Sequence, residues 1–471
     1  MDISKFKRIS EVIWELDTSF KQGMHVPARI YANENLLRQM EDTVVEQLTN
    51  VACLPGIQKH ALCMPDGHSG YGFPIGGVAA FDPDDGGIIS PGGIGFDINC
   101  GMRLMQTNLS IEEVKSKLRP LVDELFKTVP AGVGAKGFVN VSKQDFKTVV
   151  MDGVKWCVDN GYGWKEDLKS IEENGKIAWA DTSKVSDRAL ERGKAQLGTL
   201  GSGNHYLEIQ MVLSENIYDE KITKVLGIEA GKIVLMVHCG SRGFGHQIGT
   251  DYLKIFDAVM PKYGITVKDR ELACAPFNSK EGQDYFGAMA CAANLAFANR
   301  QVITHRIREA FSKVFQRKPE DMGLKLVYDV AHNIAKKEKY VIDGEKKELI
   351  VHRKGATRSF DGQPVIVGGS METGSYLCIG TKKAEEETFG STMHGSGRLM
   401  SRTQAKHLVR GEKLQKDMEA KGIYVKSVSM SGLAEEAGSA YKDISEVVET
   451  MDRAGISKKV VALKPLGNVK G

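Results

Sequence analysis

The chain has 471 residues, 42% hydrophobic and 26% charged, an ordinary composition for a soluble folded protein with a large core. Its 63 basic and 60 acidic residues leave a net charge of +3, so no global positive field advertises nucleic acid, and any RNA or DNA surface must be local. Eight scattered cysteines without a C-x-x-C pair, no apolar leader after Met1 and no long uncharged apolar run predict a reducing, cytoplasmic setting and no membrane span.

From Glu34 to Val51, residues Leu36, Leu37, Met40, Val44, Val45 and Leu48 fall at helical spacing and predict one amphipathic helix. His60 to Met64 reads as a strand stopped by Pro65, followed by the glycine-rich Asp66-Gly67-His68-Ser69-Gly70. A second glycine-rich stretch, Pro91 to Gly95, leads into Phe96-Asp97-Ile98-Asn99-Cys100-Gly101 and a short strand from Met102 to Gln106. Asp97 and Cys100 stand three positions apart, so a carboxylate and a thiolate can converge on one cation. That pair suits a borderline divalent metal better than magnesium or calcium. Ser110 is placed to cap a helix through Thr128, with Glu112 and Glu113 in its first turn.

Residues 141–195 form a charged, irregular insertion with short helical stretches and no legible chemistry. Gly198-Thr199-Leu200-Gly201-Ser202-Gly203 then delivers Asn204, His205 and Glu208; the glycines permit close approach to a phosphate, and His205 is a candidate metal ligand. Ile233 to Val237 is a strand ending in His238, and the turn Gly240-Ser241-Arg242-Gly243 can offer Arg242 to an anion. Asp284 to Phe315 is an alanine-rich helix with Phe286, Met289, Phe297 and Ile303 toward a core. Leu324 to Ala331 ends in His332-Asn333, and Leu349 to Val351 ends in His352.

Four strands therefore finish at polar residues, Asp66, His238, His332 and His352, in a chain with 11 histidines. One such histidine alone is commonly a hydrogen-bonded core residue; several together point to a metal centre. After the strand Pro364 to Val367 come Gly368-Gly369-Ser370-Met371 and then Gly390 to Arg398 around His394. Both loops can wrap phosphates with backbone N–H groups, and the second leaves His394 open to attack on a bound group. Lys470 reads as a solvated terminal residue. Strands that end in ligands, with long helices between them, indicate α/β or α+β: a single large composite domain over 1–471, with central β layers flanked by helices.

Phe96 to Gly101, Gly201 to Glu208, His238 ahead of Gly240-Ser241-Arg242-Gly243, His332-Asn333, His352 to Arg358 and His394 to Arg398 together resemble the RtcB family of RNA-splicing ligases. The resemblance runs in the family's order from about Asp66 to Lys470. It implies a manganese- and GTP-dependent ligase that joins an RNA 2′,3′-cyclic phosphate or 3′-phosphate end to a 5′-hydroxyl end, on tRNA exon halves or broken RNA. Matched residue by residue, it implies that Asp97, Cys100, His205, His238 and His332 hold two manganese ions, with Cys100 bridging. His394 is implied as the nucleophile that takes GMP from GTP and passes it to the RNA 3′-phosphate. The implied guanylate pocket runs through Asn204, His205, Tyr206, Leu207 and Glu208, then His332 and Asn333. It continues through Gly368, Gly369, Ser370, Met371 and Ser375, and closes with His394, Gly395, Ser396, Gly397 and Lys470. Arg242 and Arg402 are implied RNA-phosphate contacts, an archease activator is the implied partner, and a monomer is expected.

Two positions depart from the family pattern: Ser396, where alanine is more frequent, and Glu372, where glycine is common. The hydroxyl is easily accommodated, whereas the carboxylate puts the shape of its loop in question. The metal ligands alone would equally suit a metal-dependent phosphodiesterase that opens cyclic phosphates without joining ends; His394 separates the two readings. A non-catalytic RNA scaffold would show aromatic platforms or a basic stripe, and structural zinc sites draw on closely spaced Cys and His pairs. The sequence shows none of these.

Overall fold

The computed structural model describes residues 1–471. Six strands and two helices position the site: β1 (Ala61–His68), β2 (Gly101–Ser110), β3 (Tyr206–Ile217), β4 (Lys232–Cys239), α1 (Arg242–Val259), α2 (Lys280–Phe315), β5 (Lys325–Ala331) and β6 (Ser457–Lys470). The larger sheet runs β5-β2-β4-β3-β6 and continues through Ser375–Gly380 and Pro364–Val367. These neighbours are antiparallel, and Tyr424–Ser427 adds to β6 in parallel. The second sheet runs Lys7–Ser10, Ile13–Leu16, Ala28–Tyr31, β1, Ile75–Phe81, Glu345–Lys354 and Asn333–Ile342. The chain passes from one sheet to the other at His332, between β5 and Asn333.

A mixed α/β architecture with sheets flanked by helices is therefore what forms, as expected. Apolar residues of both sheets and of α2 share one cluster of 114 buried residues. α2 is buried nearly all round because small residues such as Ala288, Ala290, Ala292 and Ala293 let other helices approach it closely. Leu118–Thr128, Lys143–Asp152, Val154–Asp159 and α1 all pack on it, so the 141–195 segment lies against the central helix. No helix is long and apolar enough to cross a membrane.

Several expectations are corrected. The helix expected over Glu34 to Val51 is two, Glu34–Gln39 and Asp42–Val51, with Met40 extended between them. The helix capped by Ser110 stops at Ser116, and a second runs Leu118–Thr128. Pro120, which lacks an N–H, falls in the first turn of that second helix, where no donor is needed. β1 does not stop at Pro65; its pairing with Ile75–Phe81 shifts register between Cys63 and His68, and the bulge spares Pro65 a ladder bond. His352 lies inside Glu345–Lys354 rather than at a strand end. Its buried ring packs 5.1 Å from Phe81 and accepts a hydrogen bond from Ser90 N at 3.2 Å, a core role. Lys470 is the last residue of β6, not a solvated tail, and is only 4% exposed.

Candidate active site

Sheet register collects the candidate ligands. β2 and β3 begin at the edge where β4 and β5 end, because each neighbouring pair is antiparallel. Gly101 pairs with Cys239 and with Ala331, and His238 pairs with Met102 and Tyr206. Cys100, His205, His238 and His332, each at or next to a paired end, thus meet at one sheet edge, with Asp97 in the loop before β2.

The ligand atoms fall into two groups that share one sulfur. Those of Cys100, His238 and His332 lie within 4.8 Å of one another, as do those of Asp97, Cys100 and His205. Cys100 Sγ is 3.1 Å from His238 Nε2 and 3.3 Å from His205 Nε2; His238 Nε2 is 3.2 Å from His332 Nε2. His205 Nδ1 faces the Leu200 carbonyl and His238 Nδ1 the Asn204 carbonyl, each at 3.0 Å. A carbonyl only accepts, so His238 Nδ1 donates and its Nε2 keeps its lone pair for the cluster, whereas His205 Nδ1 faces both a carbonyl and the donor Arg242 Nη1 at 3.2 Å.

The donor set fits a divalent cation. His205 Nε2 stands 2.8 Å from Asp97 Oδ2, a contact made attractive by a proton or by a cation between the two. Burial opposes charge on His205, but Cys100, Cys239 and Asp97 outweigh it and hold the ring well above the ordinary imidazole range. Burial, helped by His394 and neighbouring rings, pushes His238 and His332 well below that range, so both rings are neutral, as metal ligation would require. Burial and Asp97 push the Cys100 thiol up to about 12, and a coordinating cation reverses that preference outright. Gly240 makes room for Asp97: a Cβ there would sit 2.3 Å from its carboxylate.

Beneath the cluster three fully buried charges hold the ligand loop. Asp329 of β5 accepts from Arg103 Nε of β2 at 2.6 Å and from Arg300 Nε and Nη2 of α2 at 2.8 Å each. Arg300 Nη1 then donates to the Asn99 and Cys239 carbonyls, both at 2.8 Å. The 141–195 segment contributes too, since Glu172 Oε2 accepts from Ala331 N at 2.8 Å, one residue before His332.

His394 comes from the opposite wall, after the short strand Ser391–Met393, with its ring 4.8 Å from that of His332. Asp66 Oδ2 accepts from His394 Nδ1 at 2.6 Å, from His394 N at 3.0 Å and from Gly395 N at 3.1 Å. Burial opposes charge on Asp66, but His394 and these N–H groups outweigh it and hold the carboxyl below its usual range. With Nδ1 committed to Asp66, His394 Nε2 carries the free lone pair. Gly397 (φ 70°) lets the two loops touch, because a Cβ there would lie 2.0 Å from Asp66 O.

Between the cluster and His394 opens a cavity of about 620 Å³. Of the residues implied for a guanylate pocket, Asn204, Tyr206, Asn333, Gly368 to Met371, Gly395 to Gly397 and Lys470 line it together with His332 and His394. Leu207 does not; it faces the opposite side of β3 and is buried in the main core. Glu208 and Ser375 lie deeper, joined through Gln210, and Asn468 donates to Glu208. Burial raises Glu208 to about 7. Lys470 Nζ donates to the Gly203 carbonyl at 3.0 Å and lies 5.6 Å from the Tyr206 ring centre.

Arg402 lines the cavity half exposed, 3.4 Å from Glu436. Arg242 does not line it; its guanidinium lies over Gly201, with Nη1 3.2 Å from His205 Nδ1. Ser396 is buried with no hydrogen-bond partner for its hydroxyl. Glu372 leaves the cavity clear: its carboxylate accepts from Gly438 N at 2.7 Å and meets Lys421 Nζ at 3.3 Å. Sequence reasoning missed Asp66 as the partner of His394, along with Arg398, Glu436 and Tyr441 on the cavity wall. Asp-Gly-His at the end of β1 was the only signal for Asp66, and nothing tied it to a residue 328 positions away.

The family model described as tRNA-splicing ligase RtcB matches residues 47–471. A tRNA-splicing ligase RtcB of Archaeoglobus fulgidus is 53% identical over 478 residues, covering 99% of this chain and 98% of that protein. The proteins of the same name from Thermococcus kodakarensis and Nanoarchaeum equitans are 51% and 50% identical, over 99% and 100% of this chain and 98% and 100% of their own lengths. With its ligand cluster, His394 loop and nearly full-length similarity in agreement, the chain belongs to the RtcB family.

Proposed function

We propose that this chain is a GTP-dependent RNA ligase that joins a 2′,3′-cyclic phosphate or 3′-phosphate end to a 5′-hydroxyl end, in tRNA splicing and RNA repair. The observation that carries the reading is His394, held by Asp66 on the cavity wall with its ring against that of His332. An Nε2 held open toward the cavity supplies a nucleophile for covalent transfer, which a hydrolase that only opens cyclic phosphates does not require.

A 3′-phosphate is a poor electrophile, and guanylylation supplies a leaving group. His394 Nε2 attacks the α-phosphate of GTP; an N–P bond forms, the α–β bridging P–O bond breaks and pyrophosphate leaves. Asp66 keeps the proton on Nδ1 and stabilises the positive charge that develops on the ring, as the carboxylate of a catalytic triad does for its histidine. The RNA 3′-phosphate then takes GMP from His394, and the 5′-hydroxyl displaces GMP with loss of its proton.

Asp97, Cys100 and His205 would hold one manganese ion, and Cys100, His238 and His332 a second, with the thiolate common to both. When bound, such ions neutralise charge that builds on phosphoryl oxygens and activate the attacking oxygen. The loops Gly368 to Met371 and Gly395 to Gly397 line the cavity where phosphates would lie. Lys470 on the cavity wall supplies a polar group for a guanine base, with Glu208 and Ser375 behind the lining.

The test is an RNA pair with a cyclic phosphate on one end and a 5′-hydroxyl on the other, supplied with GTP and manganese. Wild type should join them, while His394→Ala opens the cyclic phosphate and stops there. Opening without joining by the wild type would instead make the chain a phosphodiesterase.

A further inference from the structure

Beside the cavity mouth, three aromatic rings from separate parts of the chain gather next to Asp97. Phe96 stacks on His246 of α1 with centroids 4.9 Å apart and planes 25° from parallel, and Tyr71 meets Phe96 edge-on at 5.2 Å and 64°. Phe96 lies over Gly249 of the same helix, 3.4 Å from where a Cβ would stand, so the helix itself is the floor of the stack. His246 is exposed, and Tyr71 and Phe96 are only partly covered. Rings that serve a core are buried; these stay open beside Asp97, which lines the cavity.

The charges around the rings are unequal. On the His246 side stands exposed Arg192, whose Nη1 donates to Gln247 Oε1 at 2.9 Å. On the Tyr71 side Glu271 accepts from Gly72 N at 2.8 Å. Buried Lys354 is also on that side, but its Nζ is turned to the Tyr71 and Phe73 carbonyls, so the exposed cation offered to a phosphate over the rings is Arg192. With a net charge of only +3, the chain draws RNA through local contacts of this kind rather than through a global field.

We propose that Tyr71, Phe96 and His246 form a stacking platform for an unpaired nucleobase of an RNA strand whose end lies at Asp97, with Arg192 meeting its phosphate. The inference rests on the RNA-joining reading and names where the strand is held. Stacking on aromatic faces tolerates any base, which suits an enzyme that must accept different junctions.

The test measures binding of fluorescent RNAs of about ten nucleotides, ending in a 3′-phosphate or a 5′-hydroxyl, with a normal or an abasic terminal nucleotide. At one of the two ends, wild type should bind the normal RNA about tenfold more tightly than the abasic one. His246→Ala should erase that gap and His246→Phe should keep it, whereas Arg192→Ala should weaken both RNAs alike. No base dependence at either end, or an equal gap in wild type and His246→Ala, overturns the platform. Joining is assayed in parallel: base-dependent binding without joining contradicts the ligase reading and leaves the platform standing, and joining without base dependence contradicts the platform alone.

Discussion

Asp66 is the residue on which His394 depends, and two substitutions separate what its charge and its shape contribute. Asp66 Oδ2 accepts from three donors, two of them backbone N–H groups of the His394 loop. Asp66→Asn keeps an oxygen for those donors and removes the charge. A hydrogen bond to a charged group contributes about 1.5–3 kcal/mol against about 1 kcal/mol for a neutral one, so the His394 Nδ1 bond alone loses roughly 1–1.5 kcal/mol and labelling of His394 slows about tenfold. Asp66→Ala removes the acceptor altogether and frees the ring to take its other tautomer. With two backbone N–H groups also left unpaired, the loss reaches at least about 3 kcal/mol, or roughly a hundredfold or more. The assay is single-turnover transfer of label from α-labelled GTP to the protein, with cyclic-phosphate opening measured on the same preparations. The reasoning fails if Asp66→Asn is labelled at the wild-type rate, or if opening falls in the same proportion as labelling, since that pattern means a collapsed site rather than a misdirected histidine.

Cys100 belongs to both ligand groups, so Cys100→Ala should empty both metal positions and His332→Ala only one, read as manganese retained per chain after desalting. Zinc, which binds the same donors tightly, should inhibit joining by displacing manganese; undiminished joining in excess zinc would count against a shared thiolate. Asp329→Ala leaves Arg103 and Arg300 buried without a counter-charge and should cost about 3–5 kcal/mol, seen as a large fall in the thermal unfolding midpoint. Glu208 has a folded pKa of about 7 against an ordinary 4.5, so the folded chain holds a proton there that the unfolded chain releases. That contribution to stability is full below about pH 4.5 and is lost as pH rises through about 7, by something on the order of 2–3 kcal/mol. The unfolding midpoint of Glu208→Gln should therefore gain on the wild type between about pH 5 and pH 8, and a constant difference would refute the assignment.

The residues of the cavity were largely legible because their chemistry sits at strand ends and in glycine loops, where sequence marks both. His238 and His332 follow apolar runs, and the glycines around Asn204 and His394 announce close approach. Convergence was not legible. That β5, β2, β4 and β3 lie side by side is a fact of strand order, and only that order shows why Cys100 can face three histidines. His352 follows the same apolar pattern as His332, yet the bulk of Phe73 and Phe81 around it makes it core. Helical periodicity runs straight through Met40 and Lys117, so breaks set by local backbone geometry left no trace in it. Lys470 looked like a tail residue because nothing local tells a terminal strand from a free end; its burial comes from pairing between Tyr206 of β3 and Ser427 of Tyr424–Ser427.

The central claim is that His394 becomes covalently guanylylated, and the most direct measurement is peptide mapping of protein incubated with manganese and α-labelled GTP. An acid-labile, hydroxylamine-resistant label is expected on the peptide containing His394 in the wild type, and none in His394→Ala. No label on the wild type, with an archease activator both absent and present, would contradict it, as would label that persists in His394→Ala.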